Sequence, residues 1–304
     1  MKLATTTEDF SRFLSTFEER IRRVYDAGFR YIDINMYVPA RDGELLLADN
    51  WRDTAARLNT LADELGIRYI QAHSPGGNPL AQDAHYEQLL TTTIRSIEVC
   101  GMLGIPNTVV HNGYMKGISK EEWFERNRDF FRLLVPAMEK TGVNVLIENS
   151  TKANMGDMYF VNNAADMREF IRYFDHPQLH ACWDTGHANC EGSQYDEIMT
   201  LGDELYALHI NDNRGHQDEH LIPYFGTLNM DDVMHALIDS GYRGYFTFES
   251  GSSLRPSKYW LGDRHSYAGD SRLAEPTLDM QVTLEKLMYQ VGEHVLGAYG
   301  VLEK

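Results

Sequence analysis

Four apolar runs of this 304-residue chain each end in a residue that can bind a hard metal ion. They are VLIE at Glu148, HACWD at Asp184, LYALH at His209 and YFTFE at Glu249. Each residue stands at the exit of a β-rich stretch, directly before loop residues. Three carboxylates and one imidazole suit one divalent cation such as Mn²⁺, Zn²⁺, Co²⁺ or Mg²⁺. Taken singly, each has a structural alternative. Glu148 and Glu249 could form buried ion pairs, Asp184 could cap the turn before Thr185-Gly186, and His209 could be a satisfied core histidine. Four candidate ligands at four equivalent positions of a repeating pattern are harder to dismiss. The site exists only if those stretches are strands whose ends converge.

The elements that would converge them alternate along the whole chain. KLATT opens as a strand, and a helix capped by Thr7 or Ser11 runs to about Ala27, with Gly28 closing it. YIDIN (31–35) is a second strand. A helix over roughly 45–65 ends at Gly66, and RYIQAH ends at His73. Residues 84–103 read as a helix stopping at Gly104, and NTVVH as a strand ending at His111. Residues 119–140 read as one helix stopping at Gly142, before VNVLIE. Helices near 164–174, 194–202, 230–240 and 275–297 separate and follow the last three ligand-bearing strands. Eight strand–helix pairs imply parallel strands joined by right-handed crossovers, hence a single-domain (β/α)8 TIM barrel over residues 1–304. A doubly wound open sheet is the second choice, but no Gly-x-Gly-x-x-Gly follows the first strand and no Walker-type loop occurs. The irregular segment 251–275 follows Glu249 directly and is expected to fold over the barrel mouth.

Reactive residues of such a barrel lie at the C-terminal ends of its strands. His73 and His111 end the third and fourth strands, His187 follows Asp184 by three residues, and Asp218 and His220 lie on the loop after His209. All are expected at the level of the four ligands, with His73, His111 and His220 as contacts to a substrate. The structural alternative for His216 and His220 is solvation of an acidic loop.

The net charge is −17, from 45 acidic and 28 basic side chains. That field repels polyanions, so neither nucleic acid nor an anionic membrane surface is an expected partner. Cys100, Cys182 and Cys190 form no Cys-x-x-Cys pair, which argues against a disulfide scaffold and for a reducing compartment. MKLATTTEDF lacks the apolar core of a signal peptide, and no run approaches the roughly 20 apolar residues that span a bilayer. A soluble, cytoplasmic protein is expected.

AHSP (72–75), VVHNG (109–113), IEN (147–149), DTGHA (184–188), HINDN (209–213) and DEHLIPYFGTLNMDD together resemble the xylose isomerase-like TIM-barrel superfamily. That group is often described as sugar phosphate isomerases and epimerases, and is related to apurinic endonuclease family 2. The resemblance spans nearly the whole chain in order. In its ketose 3-epimerase branch one divalent metal is held by Glu, Asp, His and Glu from the last four strands, which implies Glu148, Asp184, His209 and Glu249 here. It further implies His187 and Arg214 as contacts to substrate oxygens, and Trp260 and Arg264 of KYWLGDR as groups that close the site. The endonuclease branch uses three zinc ions, for which His73, His111, Glu148, Asp184, His187, His209, Asp218, His220 and Glu249 could supply ligands. The Asp-x-His pair follows His209 more closely than in that branch, and the charge is wrong for gripping DNA.

The chemistry that needs such a site is removal of a proton beside a carbonyl, with the resulting enediolate stabilised by the metal as a Lewis acid. The expectation is a metal-dependent isomerase or epimerase of a ketose or related keto-polyol, with Glu148 and Glu249 as acid and base. A keto-sugar or cyclitol dehydratase or lyase on the same site is the close variant, because an enediolate can also expel a β-hydroxyl. No Lys/Arg cluster or glycine-rich anion nest marks a phosphate site, which favours an unphosphorylated polyol, with Arg214, Arg255 and Arg264 as the residues able to say otherwise. Barrels of this type commonly associate, so a homo-oligomer is compatible with the reading.

Overall fold

Short runs rich in β-branched and aromatic residues form eight strands. They are β1 (Lys2–Thr6), β2 (Tyr31–Asn35), β3 (Arg68–His73), β4 (Asn107–Val109), β5 (Asn144–Glu148), β6 (Leu179–Asp184), β7 (Leu205–His209) and β8 (Tyr245–Phe248). The computed structural model describes residues 1–38, 43–192, 194–254 and 276–303. All strand pairings are parallel, in the order β7-β6-β5-β4-β3-β2-β1-β8. The two ends of that order meet through a parallel bridge between Ile210 and Phe248. There the Ile210 N–H donates to Thr247 O at 2.8 Å and the Glu249 N–H donates to Ile210 O at 3.0 Å. The ring is therefore closed, and the chain folds as the expected TIM barrel.

Parallel strands require crossovers, and amphipathic helices supply them. Their outer ring includes Phe17–Ala27, Trp51–Leu65, Tyr86–Leu103, Lys120–Arg132, Ala164–Phe174, Met230–Asp239 and Leu278–Ala298. Gly66, Gly104 and Gly142 end three of the helices in the left-handed conformation that glycine adopts without penalty. The main apolar core lies between these helices and the outward strand faces, where Ile32, Ile34, Ala72, Val145, Ile147, Trp183, Leu208, Phe246 and Phe248 are buried. A separate small cluster of Val109, Leu146, Cys182 and Ala207 fills the lumen. Because side chains alternate along a strand, the next inward positions on β5, β6 and β7 are Glu148, Asp184 and His209.

Several expected boundaries shift. Thr16, not Thr7 or Ser11, caps the first helix, by accepting from the Glu19 N–H at 3.3 Å, and residues Thr7–Phe10 form a 3-10 turn instead. The helix expected over 45–65 divides into Gly43–Leu46 and Trp51–Leu65. The helix expected over 119–140 divides into Lys120–Arg132 and Val135–Thr141, because Pro136 lacks the N–H an uninterrupted helix would use and instead stands in the first turn of a new one. β4 stops at Val109 and β8 at Phe248, so His111 and Glu249 lie just past their strands. Among the described residues no helix is long and apolar enough to cross a membrane.

The 3-10 turn after β1 places Asp9 against Glu285 of the last helix, with both carboxyls buried and Thr5 Oγ1 donating to Asp9 Oδ2 at 3.1 Å. Burial pushes Asp9 up to about 7 against hydrogen bonds with Glu285 and Thr5 that pull it down, while burial and then the neighbouring Asp9 hold Glu285 well above the usual carboxylate range. The folded state then holds protons that the unfolded chain releases near pH 4, so this pair's contribution is complete below that pH and is lost as pH rises toward 7. Glu285→Gln removes the second charge. In urea unfolding of metal-free protein across a pH series, the variant should gain stability relative to the parent between pH 5 and 8. Parallel curves across that range would show that the two carboxyls do not share a proton.

Candidate metal centre

The inward alternation brings the four sequence-predicted ligands together. One ligand atom from each of Glu148, Asp184, His209 and Glu249 lies within 4.8 Å of every other. Glu148, Asp184 and His209 are almost wholly buried, and the Glu249 side chain is 16% exposed at the rim. His209 Nδ1 stands 2.5 Å from Glu148 Oε1 and 3.3 Å from Glu249 Oε2. Glu148 Oε2 accepts from His111 Nε2 at 2.8 Å. Asp184 has two tasks. Its Oδ1 caps the short helix Thr185–Asn189 by accepting the His187 N–H at 2.6 Å, while Oδ2 accepts from Asn211 Nδ2 at 2.7 Å. The capping role that would make Asp184 merely structural is therefore real, and it fixes the carboxylate toward the other three groups.

The electrostatics test whether a cation fits. Burial raises Glu148, yet His209 and His111 outweigh it and hold this carboxyl well below its usual range. Burial raises Asp184 and is only partly offset by His187. Burial likewise pushes Glu249 up to about 8, against the opposing pull of His209 and His220. His187 is raised well above normal despite burial by Asp184 and Asp218, and His209 likewise by Cys182 first and then by Glu249 and Glu148. Protons thus crowd onto groups that carry more negative charge than the local imidazoles balance. A divalent cation among three carboxylates and one imidazole satisfies that demand, and the donor set is of the hard, borderline type that Mn²⁺, Zn²⁺, Co²⁺ and Mg²⁺ accept.

The other candidates divide. His73 is buried, donates from Nδ1 to Ser74 O at 2.9 Å and meets His111 Nε2 at 3.1 Å. Burial first, and His111 second, depress it to about 3, so it stays neutral. His187 and His220 both bond Asp218 Oδ2, at 3.2 and 3.1 Å. His220 does so with a φ of 49°, a conformation that strains a non-glycine residue. His73, His111, His187 and His220 all line one cavity of about 700 Å³ together with Glu148 and Glu249. His73–His111–Glu148, His187–Asp218–His220 and Glu148–Cys182–His209 each also bring ligand atoms within 4.8 Å of one another. Arg214 does not line the described cavity. Its side chain is 66% exposed and its Nη1 donates to Glu219 Oε1 at 2.7 Å, so a local ion pair takes the group that the resemblance assigned to substrate. Trp260 and Arg264, and the expected cover over the mouth beyond Leu254, lie outside the described residues.

Sequence reasoning missed the supporting shell. Asn149 exchanges two bonds with the Asp184 backbone, at 2.7 and 2.9 Å, and Asn211 holds the Asp184 carboxylate. Gln71 contacts His209, and Tyr37, Asn154 and Tyr159 line the cavity. The signal was present in IEN, HIND and RYIQAH, where a lone polar residue sits in or beside a buried run.

Fold and centre together define a TIM-barrel protein with a carboxylate-rich, metal-competent mouth. The xylose isomerase-like TIM barrel family model matches residues 21–268, and the chain belongs to that family. An uncharacterized protein, y4fM, of Sinorhizobium fredii is 28% identical over 267 residues, 77% of this chain and 82% of its own length. Fructoselysine 3-epimerase of Escherichia coli O157:H7 is 28% identical over 189 residues, 61% of this chain and 62% of its own. Among solved structures, D-psicose 3-epimerase with D-tagatose from Clostridium cellulolyticum H10 superposes with a TM-score of 0.72 at 19% identity. It covers 97% of this chain and 99% of its own.

Gly186 lies against the Asn211 side chain, and a methyl group there would collide with the amide oxygen. Gly186→Ala should displace Asn211 from Asp184 and destabilise the fold by about 1–3 kcal/mol. It should also weaken Mn²⁺ binding to the metal-free protein. Unchanged urea unfolding and unchanged Mn²⁺ affinity together would show that the Asn211 bond does not hold Asp184 in place.

Proposed function

We propose that this chain is a divalent-metal-dependent epimerase or isomerase of an unphosphorylated ketose or keto-polyol, acting by moving a proton at the carbon beside a carbonyl. The observation that carries the reading is the convergence of Glu148, Asp184, His209 and Glu249 ligand atoms within 4.8 Å, beside a cavity that Glu148 and Glu249 line. A divalent ion held by these four would supply Lewis acidity toward a carbonyl and its neighbouring hydroxyl. Glu148 ends β5 and Glu249 follows β8 directly, and the two serve as the groups that remove and return the proton. His187 and His220, tied through Asp218, and the neutral His73 beside His111 offer hydrogen bonds to sugar hydroxyls. The cavity lining holds Glu8, Asp9, Glu148, Asp218 and Glu249. Arg12 is its one Lys or Arg among the described residues, and it donates from Nη2 to the Leu254 carbonyl. Such a lining disfavours a phosphorylated substrate. The fructoselysine and D-psicose 3-epimerases support a keto-sugar as the substrate class.

The test is solvent exchange. Metal-loaded protein incubated with free and phosphorylated ketoses and with inososes in D₂O should place one deuterium on carbon in an unphosphorylated substrate, read by mass spectrometry. Glu148→Gln and Glu249→Gln should each lower that rate by about 10²–10⁴-fold while the protein remains folded. Absence of exchange across the panel would sink the proposal, and loss of water from the product would favour the dehydratase or lyase variant.

A second reading, zinc-dependent cleavage at abasic sites in DNA, draws on one observation. The His73–His111–Glu148 and His187–Asp218–His220 groups flank the four-ligand centre and could each take an ion. The net charge of −17 opposes it, because a DNA backbone would be repelled. Metal analysis after dialysis separates the two: one ion per chain fits the epimerase, while three zincs with cleavage of an abasic oligonucleotide fit the nuclease.

A further inference from the structure

Two strands on opposite sides of the ring each carry one extra residue. The β2–β3 pairing steps from Ile32–Tyr69 to Asp33–Gln71, passing over Ile70. The β6–β7 pairing steps from Ala181–Leu205 to Cys182–Ala207, passing over Tyr206. A single inserted residue reverses which face every later side chain takes, and such bulges re-aim side chains near reactive sites. Here the two bulges aim Gln71 and His209 at one another across the lumen. These residues are 138 apart in sequence, both are buried, and their Nε2 atoms are 2.8 Å apart.

The two nitrogens of His209 face different surroundings. Nδ1 looks onto Glu148 at 2.5 Å and Glu249 at 3.3 Å, on the side where the carboxylates converge. Nε2 looks the other way, onto Gln71 and, at 3.9 Å, onto Asp33 Oδ2. An imidazole that offers the Nδ1 lone pair to a cation keeps its proton on Nε2, and that buried N–H needs an acceptor. With the Gln71 nitrogen toward the ring two donors would oppose each other, so the amide oxygen is the partner once Nε2 is protonated. Asp33 lies directly opposite Gln71 in the β2–β3 register, and its Oδ1 has no hydrogen-bond partner among the described residues. A carboxylate so placed adds negative charge behind the amide and favours the protonated Nε2 edge.

We propose that Gln71, backed by Asp33, is the positioning pair that fixes His209 as a ligand through Nδ1. The inference rests on the four-ligand centre proposed above and assigns the first half of the barrel a task in it. Neither residue touches a substrate; both act through the ring they orient.

The test compares Mn²⁺ affinity, by chelator competition on metal-free protein, with the histidine ¹⁵N NMR spectrum of the Zn²⁺-loaded form. Gln71→Leu removes the acceptor and should weaken Mn²⁺ binding by about 10–100-fold. Gln71→Glu keeps an acceptor oxygen and should restore affinity while moving the His209 Nε2–H proton resonance downfield. Asp33→Asn should shift that resonance in the opposite sense. A parent protein that binds Mn²⁺, with Gln71→Leu binding equally well, overturns the positioning role and leaves the metal centre standing. A parent protein that binds no Mn²⁺ withdraws both. Should Gln71→Leu fail to fold, by circular dichroism, an Nε2–H resonance unchanged in folded Gln71→Glu overturns the proposal on its own.

Discussion

A carboxylate buried at the end of a strand is held there at a cost of several kcal/mol unless positive charge meets it, and this barrel buries three around one point. The rest of the molecule answers that constraint. His209 stands between Glu148 and Glu249, His111 takes the second Glu148 oxygen, and Asn211 with the His187 N–H occupies both Asp184 oxygens. Even so, burial keeps Asp184 and Glu249 above the usual carboxylate range. Evenly satisfied structural ion pairs do not leave such a residue of negative charge, whereas a site shaped for a dication does.

Convergence depends on closure. Glu249 follows β8 by one residue, so its place is set by the seam where Ile210 meets Phe248 and the Glu249 N–H bonds Ile210 O at 3.0 Å. His209 immediately precedes that seam. An open sheet would leave these two at opposite edges, with no fourth ligand for the remaining three. The last helix, Leu278–Ala298, packs against β1 and β8 from outside, and Gly292 permits the approach because any side chain there would press on Leu3 and Phe248.

What could be read from the chain follows from the range of the interactions involved. The convergence of the four candidate ligands was legible because each ends a buried run, and period-two alternation carries it into the lumen two residues after Leu146, Cys182, Ala207 or Thr247. Helix ends at Gly28, Gly66, Gly104 and Gly142 were legible for a similarly local reason. The break at Leu133–Leu134 was not, because apolar spacing continues across it and only Pro136 marks the restart. The pairing of Arg214 with Glu219, five residues on, was not legible, because its motif reads equally well as a substrate contact. Gln71 and Asp33 were invisible as partners of His209. Their effect requires two bulges and a contact across the whole ring, neither of which local pattern encodes.

The lumen itself divides by chemistry. On the side of β4 to β7 its floor is small and apolar, made by Val109, Leu146, Cys182 and Ala207. On the side of β2 and β3 it is polar, with Asp33 and Gln71 both buried. A uniformly apolar floor would pack as well and would avoid burying Asp33 with an unpaired oxygen. That oxygen is costly in a fold without need of it, so its presence is itself an argument about the ring edge it faces. The candidate ligands come from one half of the barrel, and the carboxylate that faces their imidazole from behind, Asp33, comes from the other. The repeating architecture thereby serves two unlike tasks with the same strand positions.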